Sequence, residues 1–82
     1  MNDQENILRC FAGDMVSEAL RAKNIYKRDF ASHHEAYAVI KEEVDELWDE
    51  IKKKQSNYDR EAMRKEAIQI GAMCLRFINE LT

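Results

Sequence analysis

The sequence predicts an all-α domain of three main helices, with the bundle completed by oligomerisation. Three observations carry that expectation. The 82 residues include no proline and only two glycines, Gly13 and Gly71, so few positions break a helix or form a hairpin. Hydrophobic residues make up 45% and charged residues 35% of the chain, which is too apolar for disorder and suits a helical or oligomeric protein. Apolar residues recur at spacings of three and four in three successive stretches. Residues 1–82 form one small domain, and a chain of this size buries only about 60% of its unfolded surface.

The first helix is predicted over about 3–28. Asn2 and Glu5 have capping-box spacing, and Ile7, Leu8, Phe11, Met15, Ala19, Ala22 and Tyr26 make its apolar stripe. Lys27 and Arg28 suit the negative end of its dipole. Ser32 and Glu35 repeat the capping-box spacing, so a second helix is predicted over about 33–54. Its stripe is Tyr37, Ile40, Val44, Leu47, Trp48 and Ile51. The stretch "KQSNYD" reads as a turn, with Ser56, Asn57 or Asp59 available as the next cap. The third helix is predicted over about 59–81, burying Met63, Ala67, Ile70, Cys74, Phe77 and Leu81. On its other side Ile68, Ala72 and Leu75 form a second apolar patch. A helix apolar on two faces is buried on two faces, which predicts a homodimer or homotetramer.

Composition narrows the function. A net charge of -3 lacks the basic footprint of a nucleic-acid binder. The longest apolar run, "IGAMCL", falls far short of the ~20 residues that span a bilayer. The opening "MNDQEN" is polar and unlike a signal peptide. Cys10 and Cys74 lie inside helical patterns and read as packing residues. The expectation is a cytoplasmic protein with neither a nucleic-acid nor a membrane partner.

One stretch asks for chemistry. In "KEEVDELWDEI", residues 41–51, six of eleven residues are acidic. Asp45 can pair with Lys41, Asp49 with Lys53 and Glu50 with Lys54 at helical spacing, but Glu43 and Glu46 have no cation three or four residues away. Glu66 on the third helix is also without one, and Gln69 shares its edge. Two helices joined by a short turn run antiparallel and can bring these edges together. Three unpaired carboxylates and an amide oxygen would then converge, a costly arrangement unless a cation sits among them. Hard divalent cations take such oxygen ligands. A solvated acidic face is the ordinary alternative.

"EVDEL", followed by "EAIQ" on the next helix, resembles the MazG-like all-α nucleoside triphosphate pyrophosphohydrolases, whose motif is E-x-x-E, a variable gap and E-x-x-D. The likeness covers the second and third helices, and "SHHEAYAVIKEEVDELWDEI" and "EAIQIGAMCLRFINEL" are similar to short phage- or prophage-borne members. The resemblance implies Mg²⁺-dependent cleavage between the α- and β-phosphates of a nucleoside triphosphate, giving a monophosphate and pyrophosphate. Mn²⁺ is a plausible substitute. Glu43, Glu46 and Glu66 would be the catalytic, metal-holding residues, with Gln69 as a further ligand. The last motif position is Asp in the family and Gln69 here, an uncharged ligand that cannot act as a base. The chain also stops after three helices, where larger members have a fourth. The competing reading is a catalytically silent MazG-like module that binds nucleotide or a protein partner.

Substrate contacts are weaker candidates. His34, next to His33 at the start of the second helix, could meet a nucleotide, although an exposed histidine is the plainer reading. Trp48 borders the apolar stripe and reads as core, with base stacking as the alternative. Lys27 and Arg28, with Arg21 and Lys23, concentrate positive charge that could meet phosphate or simply face water. The spacing Glu-x-x-His of di-iron bundles is missing, and a recognition helix beginning "DREAMRKEAIQI" has balanced charge, which argues against a DNA reader.

Overall fold

The structure, a computed structural model, describes residues 2–82. It is all-helical: α1 spans Asp3–Tyr26, α2 His33–Ile51 and α3 Arg60–Leu81, with a 3-10 turn at Gln55–Asn57. Each helix begins at a side-chain cap. Asn2 accepts from the Glu5 amide at 2.7 Å, Ser32 from Glu35 at 3.0 Å, and Asp59 from Ala62 at 3.1 Å. Of the three cap candidates in the second turn, Asp59 is therefore the one used.

Two helices end earlier than their sequence patterns suggest. Lys27 takes a left-handed conformation (φ 56°), and its N–H bonds the Lys23 carbonyl at 2.7 Å, closing α1 at Tyr26 rather than residue 28. The C-cap of α2 is Lys52, so the chain leaves the helix before residue 54. That early exit shifts the pairing of the last turn by one residue. Lys52 meets Asp49 at 3.1 Å and Lys53 meets Glu50 at 3.1 Å, whereas Lys41 and Asp45 pair at 3.0 Å as their spacing predicts.

The central element is α3, which packs against both α1 and α2; among the described residues α1 and α2 do not pack on each other. This packing reaches part of the second apolar patch. Ala72 is fully buried and Ile68 is half-buried beside α1, whereas Leu75 stays exposed, so α1 covers only part of that side of α3. At Gly71 a Cβ would run into the Met15 side chain from α1.

The core is small: Ala22, Phe30, Ala36, Ala72 and Met73, with Ala19, Val39, Ile40, Phe77 and Leu81 packed around them. Many stripe residues remain at the surface instead. Ile7, Leu8 and Tyr26 on α1, and Tyr37, Val44, Trp48 and Ile51 on α2, are exposed, because each of these helices meets only one neighbour. Ala67 and Cys10 are exposed as well, so Cys10 is not a packing residue; Cys74 is half-buried, and both thiols are free. None of the described helices is long and apolar enough to cross a membrane.

Phe30 joins the core from the loop between α1 and α2. The Arg76 guanidinium lies 4.2 Å from its ring centroid, the Phe30 N–H donates to Glu80 Oε1 at 2.7 Å, and Arg76 Nη2 donates to the Arg28 carbonyl at 3.3 Å. Arg76 and Glu80 also pair with each other at 2.8 Å, both side chains almost completely buried. Burial alone would raise the Glu80 carboxyl, but the Arg76 and Phe30 hydrogen bonds outweigh it and hold it below its usual range.

Candidate metal centre

Helical geometry puts Glu43 and Glu46, three residues apart, on adjacent edges of α2 facing α3. Glu66 projects from α3 toward them. One carboxylate oxygen from each of the three lies within 4.8 Å of the others. Glu43 and Glu66 are half-buried and Glu46 is exposed, so the cluster opens to solvent on one side. Oε2 of Glu66 is buried and has no hydrogen-bond partner. A buried carboxylate oxygen left unpaired is costly, and it is the kind of atom that a ligand satisfies.

Electrostatics at the cluster follow from this packing. Burial raises the Glu43 carboxyl to about 7, and the Glu46 charge and the hydrogen bond to Glu66 push in the same direction. Glu46 is also raised, first by its hydrogen bond to Glu66 and then by partial burial and the Glu66 charge. Glu43 and Glu46 therefore both resist ionisation in this packing. A divalent cation removes that resistance, and the all-oxygen donor set fits Mg²⁺ or Mn²⁺.

Gln69 is engaged elsewhere. Its Nε2 donates to Glu18 Oε2 at 2.7 Å, which ties the side chain to α1. Glu18 in turn pairs with Arg21 at 2.9 Å, and the Arg21 and Gln69 hydrogen bonds hold its carboxyl below the usual range. Glu18, Gln69, Asp14, Ser17, Arg64 and Lys65 line a groove of about 420 Å³ between α1 and α3. Nothing in the local sequence singled out Glu18, because its link to Gln69 joins residues 51 apart.

The candidate substrate residues lie away from the three glutamates. His34 is nine residues before Glu43 on α2, about 13 Å along the axis, and shares a shallow depression with His33, Tyr37 and Phe77. His33 Nε2 lies 3.1 Å from the Leu81 carbonyl. Trp48 is 58% exposed, which excludes the core role, and it sits roughly 160° around α2 from Glu46. Arg28 forks onto Glu35 at 2.9 and 3.2 Å. Lys23 pairs with Asp29 at 3.0 Å, so most of the basic cluster is matched by acid; Lys27 is the exposed C-cap of α1.

No known protein family, curated protein or solved structure matches the chain.

Proposed function

We propose that this protein is a cytoplasmic, Mg²⁺-dependent nucleoside triphosphate pyrophosphohydrolase of the MazG-like type, cutting between the α- and β-phosphates. The observation that carries this reading is the convergence of Glu43, Glu46 and Glu66, together with a buried Glu66 oxygen that has no hydrogen-bond partner. In the proposal these three residues hold the cation, and Mn²⁺ can replace Mg²⁺. The cation, when bound, supplies charge neutralisation for the triphosphate and Lewis acidity for its hydrolysis. The chain's own contribution is to fix three carboxylates from two packed helices, so that little reorganisation is needed on binding. The active unit in this reading is a homodimer or homotetramer, since the single chain leaves many apolar side chains exposed. Two free cysteines accord with a reducing compartment.

A second reading, a silent module that binds nucleotide or a protein partner, draws on Gln69. It stands at the motif position where the family has Asp, and it bonds Glu18 through its amide nitrogen. The experiment that separates the two is pyrophosphate release with Mg²⁺ across a panel of canonical and damaged ribo- and deoxyribonucleoside triphosphates. The enzyme reading predicts release that Glu46→Gln lowers by at least ~100-fold. Equal background release by wild type and Glu46→Gln on every substrate would leave the silent module.

A further inference from the structure

Residue 69 stands where two demands on α3 meet. It follows Glu66 by three residues, about 4.5 Å along the helix axis and about 60° around it. Glu66 joins Glu43 and Glu46 of α2, whereas Gln69 bonds to α1, and among the described residues those two helices do not pack on each other. A side chain at this edge of α3 therefore serves either the carboxylate cluster or the contact with α1.

The partner on α1 decides between them. The bond from Gln69 Nε2 to Glu18 Oε2 is 2.7 Å long, joins two half-buried residues and ends on a charged acceptor, which places it among the stronger hydrogen bonds. Glu18 is itself fixed, because Arg21 Nε and Nη2 donate to its two oxygens at distances between 2.9 and 3.2 Å. The match is specific to an amide. A carboxylate at position 69 would set charge against charge, and the reversed amide would set oxygen against oxygen.

We infer, on the metal-centre reading proposed above, that Glu18 is a positioning residue of that centre: it holds the Gln69 amide on α1 and so withholds a fourth protein ligand from the cation. With Glu43, Glu46 and Glu66 each giving one oxygen, an octahedral Mg²⁺ keeps about half of its positions for water and phosphate oxygens. Release of Gln69 from Glu18 fills one of those positions with an amide oxygen. The first helix thus sets how much of the cation the substrate finds free, although no residue of α1 belongs to the carboxylate cluster.

The test is a double-mutant cycle on the full chain, read as Mn²⁺ affinity from the free-ion electron paramagnetic resonance signal. Gln69→Ala alone should change the dissociation constant by less than ~2-fold, since the amide is committed to Glu18. Glu18→Ala removes a charge, but that electrostatic effect is common to both backgrounds and cancels in the cycle. What remains is the freed amide. Glu18→Ala should favour Mn²⁺ binding at least ~3-fold more with Gln69 present than in the Gln69→Ala background. A loss of ~10-fold or more on Gln69→Ala would make Gln69 a ligand already and overturn the inference, as would a cycle without coupling. Absence of saturable Mn²⁺ binding by the wild type removes the metal centre itself, and the role of Glu18 with it. Gln69→Ala decides the matter even if Glu18→Ala does not fold.

Discussion

Glu66 keeps one carboxylate oxygen unsatisfied in the fold. Its Oε2 is buried without a partner, and its carboxylate sits beside two others. Replacing it with glutamine removes one carboxyl from the crowded cluster and adds an amide donor for its neighbours. Glu66→Gln is therefore expected to raise the melting temperature of the metal-free protein by about 4–8 °C, equivalent to ~1 kcal/mol, in a thermal melt with chelator present. Gly71 makes the complementary point from packing: Met15 occupies the space a side chain would need, so glycine there lets α1 lie close on α3.

At the scale of elements, α3 holds the chain together. Its C-terminal half carries Arg76 and Glu80, which clamp the loop between α1 and α2 through Phe30 and Arg28. Arg76→Ala would leave the buried Glu80 carboxylate without its cation, and a loss of ~3–5 kcal/mol is expected, enough to unfold much of the protein. Chemical denaturation should show a substantial loss for Glu80→Gln as well, because it leaves the buried Arg76 guanidinium without its carboxylate. Much of α1, α2 and α3 could be read from sequence because caps and periodicity are local. The glutamate cluster could be read for the same reason, since missing cations at three- and four-residue spacing are visible along the chain. Gln69 could not be placed, because the choice between facing α2 and facing α1 depends on how α3 is wedged between them. The Arg76–Glu80 pair did leave a trace: two charges at helical spacing, in phase with Ala72 and Met73 on the buried side of α3.

For the whole molecule, burial was overestimated because a helical wheel shows which side is apolar but not how many neighbours the helix has. The charge balance also acts globally. Glu43, raised to about 7, and Glu46 hold protons in the fold that the unfolded chain releases, so their contribution is present below the ordinary carboxylate range and lost as pH rises through about 7. Glu18, Glu35 and Glu80 are lowered, and their contribution is lost as pH falls. The metal-free protein is thus expected to melt highest on the mildly acidic side of neutrality. Adding Mg²⁺ should flatten the decline toward pH ~8, because the cation competes with protons for the same oxygens. Melting curves across pH with and without Mg²⁺ check both parts.

The most direct measurement is Mn²⁺ binding to the purified protein, followed by the loss of the free-ion electron paramagnetic resonance signal. A metal centre at Glu43, Glu46 and Glu66 predicts saturable binding of about one ion per chain, competed by Mg²⁺ and weakened at least ~10-fold by Glu66→Gln. Equal, non-saturating uptake by wild type and Glu66→Gln would contradict it and reduce the cluster to an acidic surface.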